Sequence, residues 1–123
     1  MKRDMDLIRK ILINLENQEG PIRASQLDIP ETNKEDVIYH AVLMNDAGLI
    51  KGKDFTADNY PRVLDVFIER ITWEGYDFLD SARNEKIWKE VVKTVGDKVG
   101  TVAFEVFKAL LVEVSKKAMF INS

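Results

Sequence analysis

His40 is the single histidine of the 123-residue chain, and Asp36 stands four residues before it. That spacing puts both side chains on one face of a helix, where an imidazole and a carboxylate can share a metal ion. Two ligands are too few to hold one. The competing expectation is a histidine partly buried in a helix interface. Glu74, Asp77 and Asp80 also recur at helical spacing. Grouped carboxylates do acid–base work or bind magnesium, and the same spacing fits a solvated helix face. With one histidine and no cysteine, a Ser-His-Asp or Cys-His arrangement is hard to assemble. The chain has no phosphate loop, dinucleotide fingerprint or metalloprotease motif. These residues predict no enzyme activity, no cofactor, no metal site and no small-molecule substrate.

Two further groups suit binding rather than catalysis. Lys51, Lys53 and Arg62 form the one small basic cluster, placed where a strand, a turn and a second strand are expected. Such cations contact phosphates, or simply solvate a loop. Trp73 and Trp88 offer flat rings for stacking on bases, but large aromatics more commonly pack in a core, and core packing is the expectation for both.

Composition narrows the classes. Hydrophobic residues make up 46% and charged residues 32%, which fits a globular domain rather than a disordered one. The length suits one domain with a modest core. Lack of cysteine excludes disulfides and thiolate zinc sites, and fits a reducing cytoplasm. Asp4, Asp6, Arg9 and Lys10 interrupt the start, so no signal peptide is expected. Apolar runs such as ALLV fall far short of the roughly 20 residues that cross a bilayer. The net charge is −3. Residues 1–83 hold 11 Lys and Arg against 16 Asp and Glu, whereas residues 84–123 hold 7 against 5.

The pattern along the chain predicts the elements that carry these groups. Residues 4–17 read as a helix capped by Asp4, with Met5, Ile8, Leu12 and Leu15 on its apolar stripe. Gly20 and Pro21 stop it. Residues 22–31 read as extended, with room for one short strand. Thr32 and Glu35 have capping-box spacing for a second helix, and Asn33 is the rival cap. Val37, Ala41 and Met44 form its inward stripe. Gly48 is the expected left-handed stop, and Leu49 follows onto the core. LIKGKDF and RVLDVFIERIT read as strands around TADNYP, whose Asp58 and Asn59 suit a turn. Thr72 caps a third helix and Asn84 a fourth. Gly96 and Gly100 break the chain. A last helix over residues 101–119 carries Ala103, Phe107, Leu110 and Val114 on one stripe, and Phe104, Leu111 and Ala118 beside it.

This order predicts an α+β chain, mainly helical, with a small antiparallel wing. It is a winged-helix-like domain over residues 1–83 with an eroded middle helix. Residues 84–123 form a C-terminal helical extension packed on it, in a single globular unit.

Three stretches carry a resemblance: MKRDMDLIRKIL, YHAVLMNDAGLI and RITWEGYDFLDSARNEKIWKEV. In that order they resemble a family of short bacterial and prophage proteins, labelled domain of unknown function two-five-one-three. Tyr76 and Asn84–Glu85 depart from the histidine and paired aspartates common there. The resemblance implies a winged-helix fold and no chemistry.

The second helix would be the DNA reader of such a fold. With Val37, Ala41 and Met44 inward, its outer positions are Glu35, Asp36, Ile38, Tyr39, Val42 and Leu43, with Lys34 at the start. A groove reader needs polar donors there, and two carboxylates repel phosphates. Ile38, Val42 and Leu43 would instead form an apolar patch of the kind that marks a partner. The last helix is apolar around more than one stripe. It is therefore the expected cover, from the same chain or from a second copy, through Phe107 and Leu111. The expected function is a protein-interaction or self-association module, with a homodimer or another protein as partner. The alternative is a DNA-binding regulator touching phosphates through Lys51, Lys53 and Arg62.

Overall fold

The computed structural model describes residues 2–57, 62–95 and 104–121. Among them lie five helices and three strands: α1 (Met5–Glu16), β1 (Ile22–Arg23), α2 (Lys34–Asp46), β2 (Ile50–Phe55), β3 (Asp65–Ile71), α3 (Trp73–Ala82), α4 (Glu85–Val95) and α5 (Phe104–Ile121). The turn at Asp58 and Asn59, the break at Gly96 and Gly100, and Ala103 lie outside the described residues, as do the side chains of Phe104 and Ala118.

Local chemistry sets the helix ends. The Asp4 carboxylate accepts from the Asp6 and Leu7 backbone N–H groups at 3.0 and 3.2 Å, capping α1. Asn33 rather than Thr32 caps α2, accepting from Asp36 N–H at 2.8 Å. The Thr32 hydroxyl turns back to the Pro30 carbonyl instead. Gly48 closes α2 with φ of 76°, a conformation that side chains with a Cβ resist. Asn84 caps α4 by accepting from Ile87 N–H.

The three strands form one antiparallel sheet in the order β1-β3-β2. Ile22 pairs with Ile68, and Ile50 with Ile71, with a bulge between Lys51 and Gly52. Between β1 and α2 stands a single 3₁₀ turn, Ala24–Gln26, where a full middle helix was expected to be eroded. It is pinned to the sheet: Ser25 donates to the Asp65 carboxylate from both its N–H (3.1 Å) and its hydroxyl (2.5 Å).

One core joins all the layers. Met5, Ile11 and Leu12 of α1 meet Ala41 and Met44 of α2, Val66 and Ile68 of β3, and Phe78 and Leu79 of α3. Phe107 and Leu111 of α5 belong to the same core and are fully buried. Trp88 also enters it, edge-on to Phe107 with ring centres 5.2 Å apart. Burying such side chains contributes about 1.5–3 kcal/mol each relative to exposure. Trp73 departs from the core expectation: it is 79% exposed. The inward residues of α3 are Gly75, Phe78, Leu79 and Ala82, and Trp73 falls on the opposite side of the helix.

Candidate interaction groove on the second helix

Helix α2 is apolar on both sides, so one side remains after Val37, Ala41 and Met44 are buried. Ile38, Tyr39 and Val42 form that second side and are half-buried. The chain segment entering β3 runs beside them. Together Ile38, Tyr39, Val42, Val63 and Leu64 line a groove of about 420 Å³, with Glu35 and Arg62 at its polar edge. Leu64 is 46% exposed, so the wall is open to solvent. The groove is mainly apolar, with one acid and one base at its edge.

Among the described residues, α5 of the same chain does not cover this face. Helix α5 packs on α3 and α4, with Phe107 and Leu111 in the core beside Trp88. Phe107 and Leu111 are therefore core residues, not interface residues, because the α3–α4 surface is the apolar partner nearest to them in the chain. Leu43 also leaves the expected patch. It turns toward Arg3, Ile8 and Leu49 on the other side of α2, away from Ile38 and Val42. Val63 and Leu64 were missed by sequence reasoning. They precede β3, and nothing in their local pattern links them to a helix about twenty residues earlier in the chain.

His40 is buried with both ring nitrogens satisfied. Nε2 accepts from Asp4 N–H at 2.8 Å, which requires the proton on Nδ1, and Nδ1 donates to the Asp36 carbonyl at 2.8 Å. The ring thus tethers the start of α1 to α2. The Asp36 carboxylate takes no part, and no group of metal-ligating side chains occurs among the described residues. Glu74, Asp77 and Asp80 are exposed on α3. Asp80 pairs with Arg83 at 2.8 Å. Arg83 also grips Glu16 on α1 with both terminal nitrogens. That grip holds the Glu16 carboxyl below its usual range and raises the Arg83 guanidinium.

Lys51 and Lys53 are exposed on β2, an edge strand. Lys51 stands opposite Arg70, and Lys53 opposite Phe67. Arg62 is exposed at the rim of the α2 groove. A cation missed in the sequence adds to this side: the Arg23 guanidinium lies 5.6 Å from the centre of the Phe55 ring. No described helix is long and apolar enough to cross a membrane.

The sequence matches the family described as "Hypothetical protein (DUF2513)" over residues 2–101. The chain belongs to that family. It is similar to an "Uncharacterized protein" of Haemophilus influenzae, 34% identical over 110 residues, covering 88% of this chain and 90% of the relative. No solved structure matches it. The family match includes α1 to α4, and α5 lies beyond it.

The three stretches that carry the family resemblance are the joints of the fold. The Thr72 N–H donates to the Leu49 carbonyl at 3.1 Å, its hydroxyl to the Gly48 carbonyl, and it caps Gly75 N–H at 3.0 Å. That locks the end of α2 to the start of α3. The Arg9 Nε donates to the Ala82 carbonyl at 2.7 Å and Nη2 to the Arg83 carbonyl at 3.2 Å, closing the end of α3 against α1. These residues hold elements together.

Proposed function

We propose that this chain is a non-enzymatic, winged-helix-like interaction module, whose α2 groove takes apolar side chains from a protein partner. One observation carries the reading: the helix that would enter a DNA groove instead lines an apolar trough with Ile38, Tyr39 and Val42. The carboxylates of Glu35 and Asp36 at its first turn reinforce this, because they suit the positive end of the helix and repel phosphate. Lack of cysteine fits action in a reducing cytoplasm, and the Haemophilus influenzae relative supports a bacterial setting.

The test is a photo-crosslinking residue at Val42, expressed in the bacterial cell. The reading expects discrete protein adducts at Val42 and none from the same probe at exposed Lys86. Adducts equal at both sites would refute a groove-specific partner.

A second reading has its own support. Lys51, Lys53 and Arg70 lie close on adjoining strands, and Lys51 directly opposes Arg70, an arrangement that an anion would relieve. This reading is a DNA-binding regulator contacting phosphates through Lys51, Lys53 and Arg62. Fluorescence anisotropy with a labelled mixed-sequence duplex across a salt series separates the two. The interaction reading expects no binding at low salt. Binding that falls steeply with salt and is abolished by Lys51→Glu with Lys53→Glu would favour the regulator.

A further inference from the structure

We propose that the outward face of α5 is a self-association surface, on which α5 of a second copy of this chain packs antiparallel. Helix α5 buries one side completely through Phe107 and Leu111. Its opposite side is exposed and carries Glu105, Ala109, Val112 and Lys116 in a single line. The steps between them are four, three and four residues, the spacing of neighbours along one helix face. That series reads the same in both directions, while its chemistry reverses: acid, apolar, apolar, base.

A line of this kind is its own complement only when two copies run antiparallel. Each Glu105 then faces Lys116 of the second copy, and each Ala109 faces Val112. A parallel pair would stack glutamate on glutamate and lysine on lysine. Ala109 is small, so the two helix axes can approach closely at the centre of the contact. Among the described residues, neither Glu105 nor Lys116 has an ion-pair partner within the chain. Glu113, next to the line, is already paired with Lys117 at 3.7 Å. Val106 and Met119, 52% and 68% exposed, are further apolar side chains that α5 leaves in solvent. The mixed signs of this face argue against a lipid surface or a nucleic acid, either of which would need cations without the opposing acid.

The line runs eleven steps from Glu105 to Lys116, about 16 Å of helix. One helix face buries less than the roughly 1,200 Å² of a stable protein interface, so the pair is weak and concentration-dependent. The surface is separate from the α2 groove, so either assignment can fail without the other.

Sedimentation equilibrium of the full chain from about 10 µM to 1 mM tests it, a range that brackets weak association. The expected result is a mass rising from monomer toward dimer. Glu105→Lys and Lys116→Glu should each weaken self-association about tenfold or more, since like charges then face each other. The two variants mixed one to one should recover the wild-type mass, because each restores the other's pairing. Val42→Lys should leave the association unchanged. Both charge variants sit on exposed positions, and unchanged circular dichroism spectra would confirm that they fold. A chain that stays monomeric throughout, or single variants that associate like wild type, or a mixture that fails to recover, would each overturn the proposal.

Discussion

The indole N–H of Trp88 on α4 donates to the Asp6 carboxylate on α1 at 3.0 Å, across 82 positions of sequence. The Arg9 guanidinium lies 5.5 Å from the centre of the same ring. Trp88 is otherwise buried, edge-on to Phe78 and Phe107. It thus ties the polar side of α1 to the core beneath α5.

Two substitutions should separate these roles. Trp88→Phe keeps most of the apolar volume and loses the donor, at a cost of about 1 kcal/mol. Trp88→Ala also opens a cavity between α3, α4 and α5, at about 3–5 kcal/mol. Urea denaturation measures both. Equal costs for the two variants would mean that α4 and α5 contribute little to the folded state.

Gly75 is the closest approach of α3 to the rest of the fold. A Cβ there would lie 2.0 Å from the Leu49 carbonyl oxygen and 2.7 Å from Ile71 Cγ2. Backbone has to move to admit it. Gly75→Ala should cost roughly 3 kcal/mol or more, at the upper end of overpacking effects. Gly48→Ala meets open space and pays only for its positive φ, about 1 kcal/mol. The order of the two melting points checks this: Gly75→Ala should melt well below Gly48→Ala.

Much of this frame was legible from neighbouring residues. Asp4, Thr72 and Asn84 cap helices because their side chains reach N–H groups two or three positions on, and Gly48 stops α2 for an equally local reason. The stripe of Val37, Ala41 and Met44 was legible because a helix repeats every 3.6 residues. Trp73 was misjudged on residue type, although the helix period already set it opposite Gly75, Phe78 and Ala82. What lies beside the second side of α2 was not legible at all. The docking of α5 on α3 and α4, and the placing of Val63 and Leu64 beside Ile38, depend on how distant segments meet, and no local spacing encodes that.

His40 should behave as a structural tether. His40→Phe keeps a buried ring but leaves the Asp4 N–H and the Asp36 carbonyl without their present partner, at roughly 1–3 kcal/mol. Asp36→Asn should be nearly neutral, since only the Asp36 backbone carbonyl meets the ring. Added zinc should leave the melting temperature of the wild type unchanged. A zinc-dependent rise that Asp36→Asn abolishes would restore the metal reading.

The ion pair between Glu16 and Arg83 predicts a small pH dependence. Arg83 holds the Glu16 carboxyl below its ordinary value of 4.5 in the folded chain. A depressed folded value means that folding favours the ionised form, so the contribution is present above the unfolded value. It disappears as pH falls through the folded value. The side chains of Glu16 and Arg83 are 31% and 44% exposed, so solvent and salt limit the pair to about 0.5–1 kcal/mol. Glu16→Gln should therefore be less stable than wild type by that amount at pH 7. The difference should shrink progressively as pH falls below 4.5, and also in high salt. Urea melts of the two proteins at pH 7 and across the acid range check it. A gap that did not shrink with falling pH would mean that Glu16 acts through packing against α3 rather than through its charge.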